Sequence, residues 1–533
     1  MTIRSKRPWA VLALVLSATL LAGCASDAGA GGGSTTAADT FEPGLRGDQG
    51  DGGAPVAGGT LSFASYAPVS SLDPVRTQPS GATGGTEMAA IYDLLVRYDA
   101  ATGRYEPQLA RSLEPNADGT SWTLTLRDGL TFSDGTPVNA AAVIASIDRY
   151  NAKRGANNEI WSRNVVAVES PNPSTVVFAL AQAWSEFPAL LAFGHGMIVA
   201  PTADRGDQFV PIGAGPFVVE KFAAQDELVL TPRSDYWGGA PHLSKLKFVS
   251  VQGEQPKLDT LASGGIQMAY LRNAETVLAA KDRFPGYADF ISMAMIGQIN
   301  HRPGHPGADV RVRQAMAYAI DPATIDQRAR GGQGMPGAEL FQSWSRWHND
   351  VAPLPPDQAK ARELLEAVKA DGYDGVVRYV GVQDPNGEAT GLAVQSMLQA
   401  VGFDVQLNFV HSPTDMVKRL YVDHDYDVAL GGTGLLDAAP FLRLYSTLYS
   451  TSTNNSAGVR SPAVDASLDA VMAADSDDAK RAALANVQQV FDDEVPILVW
   501  GAGANFVPWQ DNVFGVKPSL DSIMLLDKVW IAP

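Results

Sequence analysis

Few side chains in this 533-residue sequence are arranged to make or break bonds. It has no HExxH pair for zinc, no GxSxG nucleophile turn and no Walker loop. Seven histidines are scattered. His301 and His305 have the i, i+4 spacing of a metal-binding helix face, but Pro303 and Gly304 lie between them and forbid that helix. His195, in Phe193-Gly194-His195-Gly196, occupies a loop able to line a cleft, although a structural hydrogen bond is its commoner fate. Gly213-Ala214-Gly215-Pro216-Phe217 is glycine-rich, yet no Lys-Ser/Thr follows, so it reads as a tight turn and not a phosphate cradle. Cys24 is the only cysteine, which excludes a disulfide within the chain. A carboxylate pair for hydrolysis is a spatial property and stays open. The best-placed carboxylate is Asp437, in Gly434-Leu435-Leu436-Asp437-Ala438-Ala439-Pro440-Phe441-Leu442. It follows a strand-like run at 426–430, and α/β lobes place ligand loops there. Its competing role is to cap a helix over 438–442. Tyr66, Trp161, Trp344 and Trp500 are candidate aromatic cleft walls, and Gln298 offers both a donor and an acceptor.

The elements that must hold these residues are most legible at 107–150. Asn116-Ala117-Asp118-Gly119 is a turn, after which Trp122, Leu124 and Leu126 alternate with polar residues as a half-buried strand. A second short strand is expected at 130–132. Asn139 then caps a helix in which Val143, Ile147 and Tyr150 face inward and Asp148 and Arg149 outward. Strands follow at 165–169 and 175–180. The second half changes texture. Val312, Ala315, Met316, Ala319 and Ile320 mark an amphipathic helix. Asp357 caps the next helix, 376–382 is a strand, Gly402 ends a further helix, and 403–409 and 426–430 are strands. Helices alternating with strands imply parallel pairing through right-handed crossovers.

Composition sets the address. A hydrophobic share of 45% and a charged share of 18% are those of a globular chain. Arg4, Lys6 and Arg7 precede an apolar run at 9–21, too short to span a bilayer, which ends in Leu21-Ala22-Gly23-Cys24. That ending looks like a bacterial lipobox, so residues 1–23 are expected to be a lipoprotein signal and Cys24 the acylated residue. Residues 24–59, rich in Gly, Ala, Ser, Thr and Asp, are expected to be a flexible tether. The formal charge is −18, and loss of Arg4, Lys6 and Arg7 takes it to −21, which argues against nucleic-acid partners.

PQLARSL followed by DGTSWTLTLRDGLTFSDGTPVNA resembles the signature block of the family 5 solute-binding proteins of ABC importers, the oligopeptide-, dipeptide- and nickel-binding group. Ser71-Leu72-Asp73-Pro74, AAIYDLLVRY at 89–98, DYWGG at 235–239 and DVRVRQAMAYAID at 309–321 follow in the family's order. The resemblance implies an α/β, two-lobe periplasmic-binding-protein fold of the class II type, with mixed sheets and a small α+β subdomain. It places the first lobe at 60–100, 205–290 and 497–533, the subdomain at 101–204 and the second lobe at 291–496. Two crossings between lobes, near 285–300 and 490–505, then act as a hinge. In peptide-binding members an Asp in "W-x-A-D-Y-x-D/E-P" pairs with the peptide ammonium. Asp437 matches it, Gly434 stands near the Trp, and Ala439 replaces the second acid.

The resulting expectation is a lipid-anchored, monomeric receptor that hands a solute, most simply a short peptide, to ABC permease subunits without altering it. No cofactor or metal is expected. An oligosaccharide or a metal chelate is the alternative cargo, and a secreted carboxylate-dependent hydrolase the alternative class.

Overall fold

The computed structural model describes residues 42–47, 49–50 and 52–533; the signal run and Cys24 lie outside these residues. A five-stranded mixed sheet carries strands Phe217–Ala223, Glu227–Pro232, Lys245–Val249, Thr60–Ala64 and Met268–Ala269, in that order. Beside it a four-stranded antiparallel sheet is ordered Ala110–Pro115, Ser121–Leu126, Thr175–Leu180, Val165–Asn172. Trp122, Leu124 and Leu126 are buried as their alternation predicts. Helix Ala140–Ala152 packs on this sheet, and its Asn139 cap accepts from the Ala142 amide. Residues 130–132 form no strand of their own, and only a single bridge joins Thr131 to Pro137.

The family-like blocks meet in space and hold one another. Asp93, from AAIYDLLVRY, is buried and accepts from Tyr236 Oη (2.8 Å) and Trp237 Nε1 (2.9 Å) of DYWGG. Gln108 of PQLARSL donates to its other oxygen at 3.0 Å. Burial pushes Asp93 up to about 6 despite these donors. Arg149 does not face solvent as its helical position suggests. Its guanidinium makes a bidentate contact to the buried Asp73 of Ser71-Leu72-Asp73-Pro74 (2.9 and 2.8 Å) and also reaches Asp204. An ion pair outweighs amphipathic placement here, because Asp73 has almost no water to answer it.

The second lobe contains the parallel strands expected of it. Val376–Val382 pairs in parallel with Asp404–Val410 and with Val428–Gly431. Helix Pro385–Val401, closed by Gly402 in the left-handed region, makes the crossover. These strands continue onto two long ones, Gly286–Ile299 and Ile497–Pro508, which pair antiparallel from Gly286 opposite Pro508 to Gln298 opposite Ile497. The two long strands overlap in sequence with residues 285–300 and 490–505. Their ribbon reaches the first lobe through bridges from Met268 to Trp509 and from Leu271 to Phe506. Its register breaks between Ile291 and Met295, where Met293 has φ 52°.

Residues 42–59 differ from a flexible tether. Gly44–Arg46 adds a strand to Gly286–Ala288. Gln49 receives Trp509 Nε1 (2.8 Å) and donates to the carbonyls of Asp511 and Val513. A segment poor in large apolar residues, its Leu45 and Val56 both exposed, can still dock when backbone pairing and one amide side chain supply the contacts.

Candidate functional site

The ribbon is the floor of the site. Over it lies a cavity of about 170 Å³, with Ile291, Gly503 and Asn505 from the ribbon among its walls. It adjoins a second cavity of about 400 Å³, which Tyr66, Glu254 and Asn386 help to line. Arg272, Ala274, Arg330 and Gln333 line both. Arg272 follows the strand Met268–Ala269 of the five-stranded sheet. Arg330 ends helix Pro322–Arg330 on the other side of the cleft, closed by Gly331.

Neither guanidinium has a hydrogen-bond partner among the described residues. Arg272 lies over the Tyr66 ring, 5.2 Å from its centre. Arg330 comes no nearer to a carboxylate than 3.8 Å, at Asp326, and burial holds it below the usual arginine range. Arg272 is exposed and Arg330 partly buried; two guanidiniums with free donors lining one cavity make it attractive to a carboxylate.

A second polar group sits on the ribbon face, and its Asn505 lines the smaller cavity. Asp289 and Asn505 are direct cross-strand partners and share a face. Ser522 Oγ donates to Asp289 Oδ2 at 2.9 Å, and Asn505 Nδ2 donates to Ser522 Oγ at 3.3 Å. Asn505 Oδ1 is buried with no donor among the described residues. Burial, then the nearby Asp521, pushes Asp289 up to about 7. Burial also raises Asp521, which accepts from Arg443 Nη2 at 3.2 Å. Asp521 and Ser522 both hold left-handed backbone, φ 53° and 57°. Such strain costs on the order of 1–3 kcal/mol per residue and gathers at functional sites.

The candidates read from the sequence divide by location. Tyr66 is 39% exposed, walls the larger cavity and touches Tyr270 and Arg272. Trp344 packs edge-on to Phe290 of the ribbon, and its Nε1 donates to Gln342 Oε1 at 3.3 Å. Gly434 has φ 68°, and its amide donates to the Met293 carbonyl at 3.3 Å, so its loop backs onto the ribbon break. Asp437 caps no helix, because the helix Pro440–Leu448 has Ala439 at its N-cap. Its carboxylate accepts from Ser345 Oγ (2.8 Å) and the Arg346 amide (3.1 Å), and burial raises its pKa. Asp437 is close enough to Asp289 to push that group up as well.

Gln298 is buried, accepts from Ser456 Oγ at 2.8 Å, and lines neither cleft cavity. Trp500 is buried in the second-lobe core. Trp161 is buried in the subdomain, stacked 4.5 Å from His195. His195 is a core residue bonded to Asn151 Oδ1 and lowered to about 3 by burial. His301 and His305 turn to different partners, the Pro496 carbonyl and Asp427.

Arg272, Arg330 and Asn505 escaped sequence reasoning. A lone Arg at the end of a helix reads as a partner for the helix dipole, and nothing local sets Arg272 apart. The only signal was proximity to Tyr66, and that is spatial.

Residues 104–455, more than half of the chain, match the model for bacterial extracellular solute-binding proteins, family 5. The chain belongs to this family. Among curated relatives of this family 5 protein, the glutathione-binding protein GsiB of Salmonella typhi is 29% identical over 280 residues, 50% of this chain and 53% of the relative. The chain thus spans about half the length of that relative. The probable D,D-dipeptide-binding periplasmic protein DdpA of Escherichia coli is 26% identical over 369 residues, 66% of this chain and 70% of the relative. Among solved structures, the periplasmic binding protein DppA of Helicobacter pylori, in complex with the peptide STSA, superposes with TM-score 0.76. The match covers 90% of this chain and 99% of that one at 23% identity, which shows the two-lobe fold of the family 5 protein.

Proposed function

We propose that the chain is the solute receptor of an ABC importer and that its cargo is a short peptide held as a zwitterion in the inter-lobe cleft. The observation that carries this reading is the pair Arg272 and Arg330, on opposite sides of one cavity and both without hydrogen bonds, with the orphan acceptor Asn505 Oδ1 on the same wall. A carboxylate satisfies the two guanidiniums bidentately. An ammonium satisfies Asn505 Oδ1 and the ionised form of Asp289. Closing the lobes excludes water and strengthens both contacts. The relatives named for glutathione and D,D-dipeptide binding support the same class. The cargo leaves unaltered, and Cys24 anchors the receptor at the outer face of the membrane, near its permease.

Titration calorimetry with di- to pentapeptides, and with the same peptides amidated at the C-terminus or acetylated at the N-terminus, tests the cargo. The free peptides should bind and each capped form should lose at least tenfold. Binding of an oligosaccharide or a metal chelate with no response to any peptide overturns the reading, as does peptide cleavage seen by mass spectrometry. Cys24→Ser should release the protein from cells.

A further inference from the structure

The largest cavity described lies in the second lobe, apart from the cleft, with a volume of about 990 Å³. Its walls carry Arg302, Arg313, Arg460, His301 and His424 against one carboxylate, Glu494. In a chain of formal charge −18 this is a local reversal of sign. The cations differ in how far they are committed. Arg313 is spent on the carbonyls of Glu494, Val495 and Gly307, and it draws Glu494 to within 3.5 Å. His301, lowered to about 3 by burial, is bound to the Pro496 carbonyl.

Arg302 and Arg460 remain. Arg302 Nη1 donates to the carbonyl of Ser456 (2.6 Å) and to Asn300 Oδ1 (3.2 Å), which fixes the guanidinium plane. Its Nη2 lies 3.5 Å from His424 Nε2. His424 is itself fixed, with Nδ1 2.7 Å from the Leu420 carbonyl and left-handed backbone at φ 51°. Arg460 is exposed and makes no hydrogen bond or ion pair among the described residues. Ser450, Ser452, Thr453 and Ser461 also line it; the amides of Ser450 and Thr453 are held by Asp465 and Glu159, and the Ser452 hydroxyl by the Ser446 carbonyl. Oriented guanidinium donors and hydroxyls are the groups that bind a tetrahedral oxyanion.

We infer that this cavity is a second ligand site, one that takes a soluble phosphate-class anion, with Arg302 and Arg460 as its two cationic contacts. It stands independently of the peptide reading, because no residue is shared with the cleft cavities.

The test is titration of the full chain with inorganic phosphate and with pyrophosphate at low ionic strength, followed by calorimetry and by 31P line broadening. The wild type should show one saturable site, tighter for pyrophosphate. Arg460→Glu, an exposed change that leaves folding intact, should weaken it at least tenfold and leave peptide binding unchanged. Arg302→Lys should also weaken it, by removing the fork. Arg272→Ala should bind phosphate as the wild type does. Absence of saturable binding, equal affinity in Arg460→Glu, or a loss confined to Arg272→Ala overturns the proposal; the last would put the anion in the cleft.

Discussion

At the scale of single residues, the cavity between Arg272 and Arg330 is lined by guanidiniums that make no hydrogen bond among the described residues. Arg272 is exposed, lies over the Tyr66 ring and makes no side-chain hydrogen bond among the described residues, so its removal should change the stability of the empty protein little. For Arg272→Ala we expect an unchanged melting temperature without ligand and a peptide affinity lower by about 1.5–3 kcal/mol, the worth of a charge-assisted hydrogen bond. Calorimetry beside a thermal melt separates the two. Asp289, pushed up to about 7, is half protonated near neutrality. Its carboxylate form is the one that accepts an ammonium, so peptide affinity should rise between pH 6 and pH 8. Asp289→Asn should flatten that profile, and an unchanged slope would remove Asp289 from the site. Asp437 is a weaker contact candidate than its motif suggests, because Ser345 and the Arg346 amide already occupy its oxygens.

Elements show why some of this was legible and some was not. The second-lobe strands and helices announce themselves by period, since each buries one face. The four-stranded sheet does so too, with Trp122, Leu124 and Leu126 inward. Arg149 misled because periodicity says which face is wet but not which buried acid waits on a distant turn. Asp73 is that acid. Arg149→Ala would strand it, at a cost of about 3 kcal/mol, measurable as a lower urea midpoint with an unchanged slope. Trp161 and Trp500 were drawn toward the cleft by residue type alone, and packing put both in cores. The cleft itself was out of reach. Arg272 and Arg330 lie 58 positions apart and meet only through the ribbon.

Over the whole molecule, buried acids give stability a direction in pH. Asp93, Glu87 and Asp289 are raised to about 6, 7 and 7. The folded state therefore holds their protons more tightly than the unfolded chain does. Their contribution is full below the unfolded values and is lost as pH climbs through about 4 to 7. Asp93 alone contributes about 3 kcal/mol on this reckoning. Lowered acids such as Asp204, at about 2, act oppositely, but only as pH falls below their unfolded value of about 4. Calorimetric melts should be higher at pH 5 than at pH 8, and Asp93→Asn should narrow the gap.

The strand Gly44–Arg46 also decides what a truncated chain would do. Those three residues cover the outer rim of Gly286–Ala288, and the backbone groups of that rim will accept any extended segment in their place. A chain begun at Thr60 bares it, and a second copy offers the same rim. Such a chain should form concentration-dependent dimers in light scattering, whereas one begun at residue 42 should not. In that light Gly44–Arg46 is a stopper on an otherwise open sheet edge.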